Sequence, residues 1–553
     1  MKTRVLPYVE DQDLPPRVGA QLRILQCFSE GLIEENHALR EELARLKDEL
    51  AVSKGEKKRP VFKPSRMHEE AGKAKPPEGE ADGKPARRAG SDKRSKTRTL
   101  KIDEDCVIEP EEPVPPGSRF LGYRDFVVQD LVITTKNTRY RLARWQTPQG
   151  KTLTGRLPKA LKGRHFGPTL GAYVLYQHHQ CQVTQPLLRE QLREWDVDIS
   201  TGQINALLCH DKERYHAETD AVLSAGLAHS TYVTVDDTGS RHQGKNAYVT
   251  HIGNEYFAWF KSTLSKSRIN FLELLRAGDS SYWINDTALE YMKQQGLSQV
   301  LLGALREHEI PGFANQQAWH EQLQRLGIDT PRERRIATEG ALLGCLKRQG
   351  VINDLAIISD DAGQFNVLLH GLCWVHTERL VHTLLPLNDE HREDIARVRG
   401  EIWELYADLK LYKQHPASAQ KTALEMRFDA IFTQKTRFTT LNRLLKRIHR
   451  NKSELLLVLD RPDVPLHTNG SEGDIRDHVK KQKVSGGTRS DLGRQCRDTF
   501  SSLKKTCRKL GISFWQYVTD RVSYSDRTPP LCELIKQRMT SSGNVGPPIA
   551  PAF

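Results

Sequence analysis

Two aspartate pairs, each placed directly after a short β-type run, constrain the fold of this chain more than any other feature. The run 232–235 leads into Asp236, and the run 356–359 leads into Asp360. The second run is short and largely apolar, which is typical of a strand buried on both faces. If the two strands are parallel, both aspartates lie at their carboxyl ends, where open α/β sheets place their sites.

A third acid, Glu472, follows the segment His467-Thr-Asn-Gly-Ser and opens a predicted helix. Carboxylates are hard oxygen ligands that suit Mg²⁺, and two such ions can hold the attacking and leaving oxygens of a phosphodiester. Taken alone, an aspartate before Thr-Gly or Ala-Gly is more often a turn former or helix cap. Three such acids in one chain favour a shared metal site.

Three β-type runs at 231–235, 247–252 and 255–260 are joined by short turns and predict an antiparallel meander. A helical stretch then precedes the buried run at 356–359. The predicted fold class is therefore α/β, with a mixed sheet.

Composition excludes some classes of protein. The 553 residues are 37% hydrophobic and 28% charged, as in ordinary soluble proteins of several domains. No apolar run approaches the roughly 20 residues that span a bilayer, and the start of the chain lacks the apolar core of a secretory signal. Nine scattered cysteines show no disulfide framework. We expect a cytoplasmic protein with no membrane partner.

The net charge of +13 is concentrated in two stretches. Residues 53–100 hold 15 Lys and Arg against 7 Asp and Glu, and residues 473–509 hold 11 against 4. Clustered cations suit a polyanion such as DNA, although a solvated charged face is an equally simple interpretation.

The first segment, 1–52, predicts a coiled-coil helix, because leucines recur every seven residues and Asn36 falls at a buried a position. Self-association is favoured over an amphipathic helix packed on the same chain. The predicted dimerisation residues are Leu25, Leu32, Asn36, Leu39 and Leu46.

Three further segments precede the sheet. Residues 53–100 are a predicted disordered basic linker, and residues 101–160 a small β-ribbon module with alternating runs such as 126–135. Residues 161–225 predict a helical region with a helix-turn-helix, in which Ser200-Thr-Gly-Gln203 is a capping box for the second helix. Two short helices with a turn are also common in proteins that do not bind DNA.

The combined motifs resemble the transposases of the insertion sequence 66 family from the leucine heptads to about Val522. Asp236-Asp-Thr-Gly matches the family's Asp-Glu-Thr-Gly, and Ser359-Asp360 its second motif. Cys373-Trp-Val-His-Thr-Glu-Arg resembles the Cys-Trp-Ala-His-Ala-Arg-Arg element, and Thr468-Asn-Gly-Ser-Glu the final Asn-Asn-x-x-Glu. Asp237 and Thr468 depart from the family residues, and the β module lacks the paired zinc-ligand cysteines of many relatives.

The resemblance implies an RNase H-like catalytic domain at 226–525, followed by a C-terminal tail at 526–553. Its triad, Asp236, Asp360 and Glu472, would bind two Mg²⁺, with Mn²⁺ as an alternative, and would cleave and transfer DNA strands at element ends and target. The 112 residues between Asp360 and Glu472 and their helical pattern predict a helical insertion near 380–457.

Cations after the last acid are expected to hold the DNA backbone near the metals. The predicted DNA contacts are Lys480, Lys481, Lys483 and Arg489.

Other interpretations stay open from the sequence. Cys373 and His376 could begin a zinc site, but no second pair stands nearby, so core packing is favoured. The chain could also be a dimeric DNA-binding regulator with an idle sheet domain, or a nuclease or resolvase that cuts without joining.

Overall fold

A computed structural model describes residues 101–161, 165–307, 311–351 and 354–541. The predicted coiled coil at 1–52, with its dimerisation residues Leu25, Leu32, Asn36, Leu39 and Leu46, lies outside the described residues, as does the linker at 53–100. The chain divides into two compact units with a boundary after Gln129. The described part of the first unit, 101–129, contains neither helix nor strand.

The β-ribbon module is much smaller than its sequence pattern suggested. Strands β1 (Arg144–Gln146) and β2 (Thr152–Thr154) form an antiparallel hairpin around the predicted turn at 147–150. The alternating run 126–135 forms no strand. Its large apolar side chains are mostly exposed, so strand pairing there would not be stabilised by a buried apolar face.

The second unit holds the remaining regular structure. Its strands are β3 (Tyr232–His242), β4 (Lys245–Gly253), β5 (Ala258–Thr263), β6 (Tyr282–Trp283), β7 (Gly312–Phe313), β8 (Ala356–Ser359) and β9 (Leu369–Leu372). The helices of the described chain are α1 (Pro168–His179), α2 (Gln185–Glu194), α3 (Thr201–Cys209), α4 (Glu213–His229), α5 (Arg268–Leu275), α6 (Asp286–Gln294), α7 (Gln299–Arg306), α8 (Gln316–Arg325), α9 (Pro331–Arg348), α10 (Trp374–His382), α11 (Asp389–Gln414), α12 (Ser418–Thr433), α13 (Thr439–Arg450), α14 (Lys452–Leu455), α15 (Asn469–Ser485), α16 (Asp491–Lys509), α17 (Phe514–Ser523) and α18 (Leu531–Ser541). Within the described ranges, none of these helices is long and apolar enough to cross a membrane.

The central sheet has five strands in the order β5-β4-β3-β8-β9. The first three strands form the predicted antiparallel meander, whereas β8 runs parallel to both β3 and β9. The sheet is therefore mixed, and the mixed α/β class is confirmed.

Each face of the sheet packs on its own core. Alternate residues point to opposite faces of a strand, so Ile357 joins a large core with helices α1–α9, while Ala356 and Ile358 join a second core. That second core is formed largely by α11, α12 and α13, which occupy the segment predicted as a helical insertion. All four residues of β8 are buried, as its apolar sequence indicated.

Helix α16 covers the outer edge of the sheet and supplies hydrogen bonds that a further strand would otherwise supply. Along β5, the backbone N–H of Phe260 donates to Ser502 Oγ at 2.9 Å, and the N–H of Ser262 donates to Asp498 Oδ2 at 2.8 Å. Ala258 donates to Thr506 in the same way at 3.2 Å. The three acceptors are spaced four residues apart, so they lie on one face of α16.

The region predicted as a helix-turn-helix contains helices α2 and α3. The predicted capping box is present, because Gln203 N donates to Ser200 Oγ and Ser200 N donates to Gln203 Oε1. At the other end of the chain, part of the predicted tail forms α18, whose Leu531 and Ile535 are fully buried and which packs against α4. The tail sequence has apolar residues at helical spacing, and α4 is the packing partner that sequence alone did not reveal.

Candidate active site

Strands β3 and β8 bring the first two acids together. Thr234 pairs in parallel with Ile358, so the next residues on the same face, Asp236 and Asp360, follow in register. The expected parallel pairing of the two strands is confirmed, with Asp360 as the first residue after β8.

Asp236 lies within a strand rather than at its end. β3 continues past it to His242 and pairs with β4 along the whole hairpin, including Asp236 with His251. The Asp-Thr-Gly sequence favours a turn, but the ladder with β4 overrides that weak local preference. The interpretation of Asp236 as a turn former is therefore wrong.

Helix α15 carries Glu472 in its first turn and is tied directly to the same face of β3. The Thr234 hydroxyl donates to the Gly253 carbonyl at 3.0 Å and shares a 2.6 Å hydrogen bond with the Ser471 hydroxyl. Because Ser471 precedes Glu472 and Thr234 is two residues before Asp236, this buried contact places the third acid beside the first two.

The pKa of the Asp236 carboxyl is raised in this environment. Burial raises the pKa of this carboxyl to about 6 from an ordinary value of 3.8, and the nearby Asp360 and Glu472 carboxylates raise it further. The Asp237 N–H, which donates to Asp236 Oδ1 at 2.7 Å, opposes the rise, as does His376. A half-buried carboxyl close to two other acids is the kind of group that a cation stabilises.

Asp237 points to the other face and has partners of its own. Its carboxylate accepts hydrogen bonds from the Thr250 hydroxyl at 2.6 Å and from the Gln364 amide at 2.9 Å. These bonds hold Asp237 away from Glu472, which agrees with its exclusion from the predicted triad.

Cys373 links the end of β8, just before Asp360, to the start of α15, the helix that carries Glu472. Its backbone N–H donates to the Ser359 carbonyl at 2.9 Å, and its thiol accepts from the Thr468 N–H at 3.4 Å. Burial opposes ionisation of this thiol, but the contacts with His376 and Thr468 together outweigh it and lower the Cys373 pKa below its ordinary value. Cys373 is 1% exposed, so its packing role agrees with the favoured interpretation.

His376, one turn further along α10, faces Glu472. Its Nε2 lies 3.4 Å from Glu472 Oε1, and Arg379 Nη2 lies 3.6 Å from the same oxygen. The hydrogen bond with Cys373 raises the His376 pKa, and the Glu472 carboxylate adds to the rise. His376 and Arg379 thus orient Glu472 by charge from one side.

A cleft of about 420 Å³ opens beside Asp360. Its walls include His376 and Arg379 from α10 and Arg447 from α13. Arg447 forms an ion pair with Asp361, the residue after Asp360, and Asn451 donates to the same carboxylate at 3.4 Å. The helical insertion therefore forms one wall of the candidate site.

The acids fit a cation, although they do not yet surround one. Within the described ranges, no three His, Cys, Asp or Glu side chains stand in a group that could hold a metal ion. However, Glu472 Oε1 is buried without a hydrogen-bond partner, and Asp236 is destabilised in its charged form. Carboxylate oxygens are hard ligands of the kind that Mg²⁺ and Mn²⁺ prefer.

The four predicted DNA contacts separate into two groups. Lys480, Lys483 and Arg489 are exposed on or just after α15. Lys481 is 5% exposed and donates to the His178 carbonyl at 2.6 Å, in the last turn of α1. Its ammonium group stabilises the end of α1 inside the protein. Lys481 therefore does not lie on the surface that a DNA phosphate could reach.

Burial lowers the Lys481 pKa to about 7, and nearby Arg497 and Lys504 lower it further. Lys504 also donates a hydrogen bond to the end of α1, to the His179 carbonyl at 3.1 Å. Residue type alone did not show that α15 carries both exposed cations, Lys480 and Lys483, and a buried one, Lys481.

Sequence reasoning also missed Arg379 and Arg447, the two cations of the cleft. The sequence did contain a signal for Arg447, because residues 435–453 contain seven Lys and Arg and no Asp or Glu. Arg379 is the last residue of the segment that resembles the family's Cys-Trp-Ala-His-Ala-Arg-Arg element, and that match was the available signal.

Comparison with known proteins identifies the family of the chain. A family model described as the transposase IS66 family matches residues 357–496, a span that includes Asp360 and Glu472. An uncharacterized protein of Sinorhizobium fredii strain NGR234, y4jO, is 43% identical over 317 residues, which are 57% of this chain and 99% of that protein. The chain belongs to the IS66 transposase family.

Proposed function

We propose that this chain is a DDE-type transposase that cleaves DNA at the ends of a mobile element and joins those ends to a target. Asp236, Asp360 and Glu472 are its catalytic carboxylates, and DNA is its substrate. The single observation that carries the proposal is the convergence of these acids, through the parallel β3–β8 register and the Thr234–Ser471 hydrogen bond.

The topology supports an RNase H-like domain. The longest strand, β3, lies at the centre, with an antiparallel meander on one side and two parallel strands on the other. Two acids lie on adjacent central strands, and the third lies on a helix packed over the same face. The helical insertion between β9 and α15 accounts for the long spacing before Glu472.

Asp236, Asp360 and Glu472 would hold two Mg²⁺ ions. When bound, the ions supply activation of water or a 3′-hydroxyl and stabilisation of the leaving oxygen. The chain itself holds the acids rigidly on a sheet and a helix. His376 orients Glu472, and Arg379 in the cleft is placed to bind a nonbridging phosphate oxygen.

Other parts of the chain would bind and assemble the DNA complex. Helices α2 and α3 are candidates for a helix-turn-helix that reads element ends. Lys480, Lys483 and Arg489 would hold the phosphate backbone near the acids, and the N-terminal leucine heptads would join copies of the chain.

The test is an end-joining reaction with purified protein, DNA bearing the element's own terminal sequences, and Mg²⁺. Asp236→Asn, Asp360→Asn and Glu472→Gln should each abolish cleavage and joining while binding the same DNA. Asp220→Asn, an exposed carboxylate on α4, is the matched control and should behave as wild type.

Each other outcome has a distinct meaning. Wild-type cleavage without joining would indicate a nuclease or resolvase. Specific binding with no divalent-dependent cleavage by the wild type would favour a regulator with an idle sheet domain. Full cleavage by any of the three variants would contradict the assigned triad.

A further inference from the structure

Helix α13 of the insertion is unusually basic on one side. The surrounding segment, 435–453, has seven Lys and Arg and no Asp or Glu. The helix buries Leu441, Leu445 and Ile448 in the insertion core. The opposite side is exposed and carries four cations at positions i, i+3, i+4 and i+7, which form one line along a helix: Arg443, Lys446, Arg447 and Arg450. We refer to these four residues as the cation stripe.

The cation stripe is not explained by intramolecular pairing. Arg437, just before the helix, binds Asp394 and two neighbouring acids on α11. In the described part of the chain, Arg443, Lys446 and Arg450 form no ion pair. Like charges spaced three and four residues apart destabilise a helix, so the stripe weakens α13 rather than supporting it.

The cation stripe leads directly to the candidate active site. Arg447 pairs with Asp361, next to the catalytic Asp360, and shares the cleft wall with Arg379. The cation stripe therefore reaches the cleft beside Asp360 through Arg447.

We propose that the cation stripe binds the sugar-phosphate backbone of DNA and guides one strand into the cleft beside Asp360. This inference rests on the proposed function, since it names the surface that delivers substrate to those acids. From Arg443 to Arg450 the helix rises about 10 Å, at about 1.5 Å per residue. One strand of a duplex carries one phosphate for about 3.4 Å of helix axis, so a stripe of this length laid along the axis would span about three phosphates of that strand.

An acidic protein segment would also be attracted to four cations. DNA is favoured because the stripe leads to the cleft beside Asp360, where the proposed function places phosphodiester chemistry and where Arg379 and Arg447 line the wall. Phosphate contacts from flexible Lys and Arg side chains supply affinity without sequence choice. The stripe should therefore bind element ends and unrelated DNA alike.

The experiment compares two triple variants of the full chain. One is Arg443→Gln, Lys446→Gln and Arg450→Gln. The matched control neutralises three exposed cations on α6, α7 and α8, which form no ion pair with any described residue: Lys293→Gln, Arg306→Gln and Arg325→Gln. Glutamine has nearly the same helix propensity as Lys and Arg, so both variants should fold, and circular dichroism checks this.

Binding to a labelled duplex is measured by fluorescence anisotropy at several salt concentrations in EDTA. Each phosphate contact contributes about 0.9 to the slope of log affinity against log salt. The stripe variant should lose about 2.7 from that slope for both element-end and unrelated DNA, whereas the control should match wild type. A slope equal to that of the control variant would overturn the proposal, as would loss of slope on element-end DNA alone.

Single substitutions extend the test in case the triple variant is poorly folded. Arg443→Gln and Arg450→Gln should each lower the slope by about 0.9, and Arg443→Lys should leave it unchanged. Because no divalent ion is present, this result does not depend on catalysis. Failure of the wild type to cleave would count against the proposed function and leave the binding result valid.

Discussion

Asp236→Asn should stabilise the ion-free protein at neutral pH, although Asp236 is a proposed catalytic residue. The Asp236 pKa is raised from 3.8 to about 6, mainly by burial, so the folded protein binds this proton more tightly than the unfolded chain. Stability must then fall as pH rises from about 4 to about 6. A shift of about two pKa units corresponds to a loss of up to about 3 kcal/mol, complete above pH 6.

The asparagine avoids that loss and keeps the local hydrogen bond. Its side-chain oxygen can still accept from the Asp237 N–H, as Asp236 Oδ1 does at 2.7 Å. In EDTA, the variant should therefore unfold at a higher denaturant concentration than wild type at pH 7.5. The difference should shrink towards zero as pH is lowered to 4.

Urea unfolding followed by circular dichroism between pH 4 and pH 8 measures this difference. Asp220→Asn, on the exposed side of α4, is the control and should show no such pH-dependent gain. Adding Mg²⁺ should stabilise the wild type, because an ion that binds only the folded state raises its stability, and should stabilise Asp236→Asn much less. A constant difference between the two proteins across this pH range would refute the reasoning.

Three other substitutions test separate contacts. Ser502→Ala leaves the buried Phe260 N–H without its acceptor and should cost about 1–3 kcal/mol in chemical unfolding; a change near zero would contradict the role of α16 at the sheet edge. Asp474→Asn removes a carboxylate that lies 3.3 Å from Lys505 and 3.0 Å from Lys509. Because Lys505 also pairs with Asp477 and Lys509 also donates to the Asn254 carbonyl, the variant should cost about 1–3 kcal/mol in the same assay, and no change would contradict a role for Asp474 in holding these cations. His376→Ala should lower cleavage by about 10–100-fold with little change in the midpoint of unfolding. His376→Gln keeps a donor towards Glu472 and should recover part of the activity. Equal loss of activity in both variants would show that His376 does not act by orienting Glu472.

Local sequence patterns were sufficient for the centre of the fold. Alternation predicted the meander, and the largely apolar run at 356–359 predicted a strand buried on both faces, because both patterns report which faces of a strand are buried. The parallel placement of Asp236 and Asp360 followed from these two elements.

Features that depend on distant partners were not predictable in the same way. β3 extends through Asp236 because β4 pairs with it, against the turn preference of its own sequence. Lys481 looked like its neighbours on α15, but the end of α1 accepts its hydrogen bond. The run 126–135 has the alternation of a strand, yet alternation gives no pairing partner. In each case the deciding factor, a contact or the lack of one, lies outside the local segment.

The helix along β5 has a consequence for how copies of this chain can assemble. An incoming strand would find the outward amide groups of Ala258, Phe260 and Ser262 already bonded to α16. It could extend the sheet on that side only by displacing a helix whose Phe500 and Leu503 are fully buried. Edge-to-edge joining of two sheets along β5 is thereby blocked, so higher-order complexes must form through other surfaces, and the folded unit is protected from aggregation along this edge.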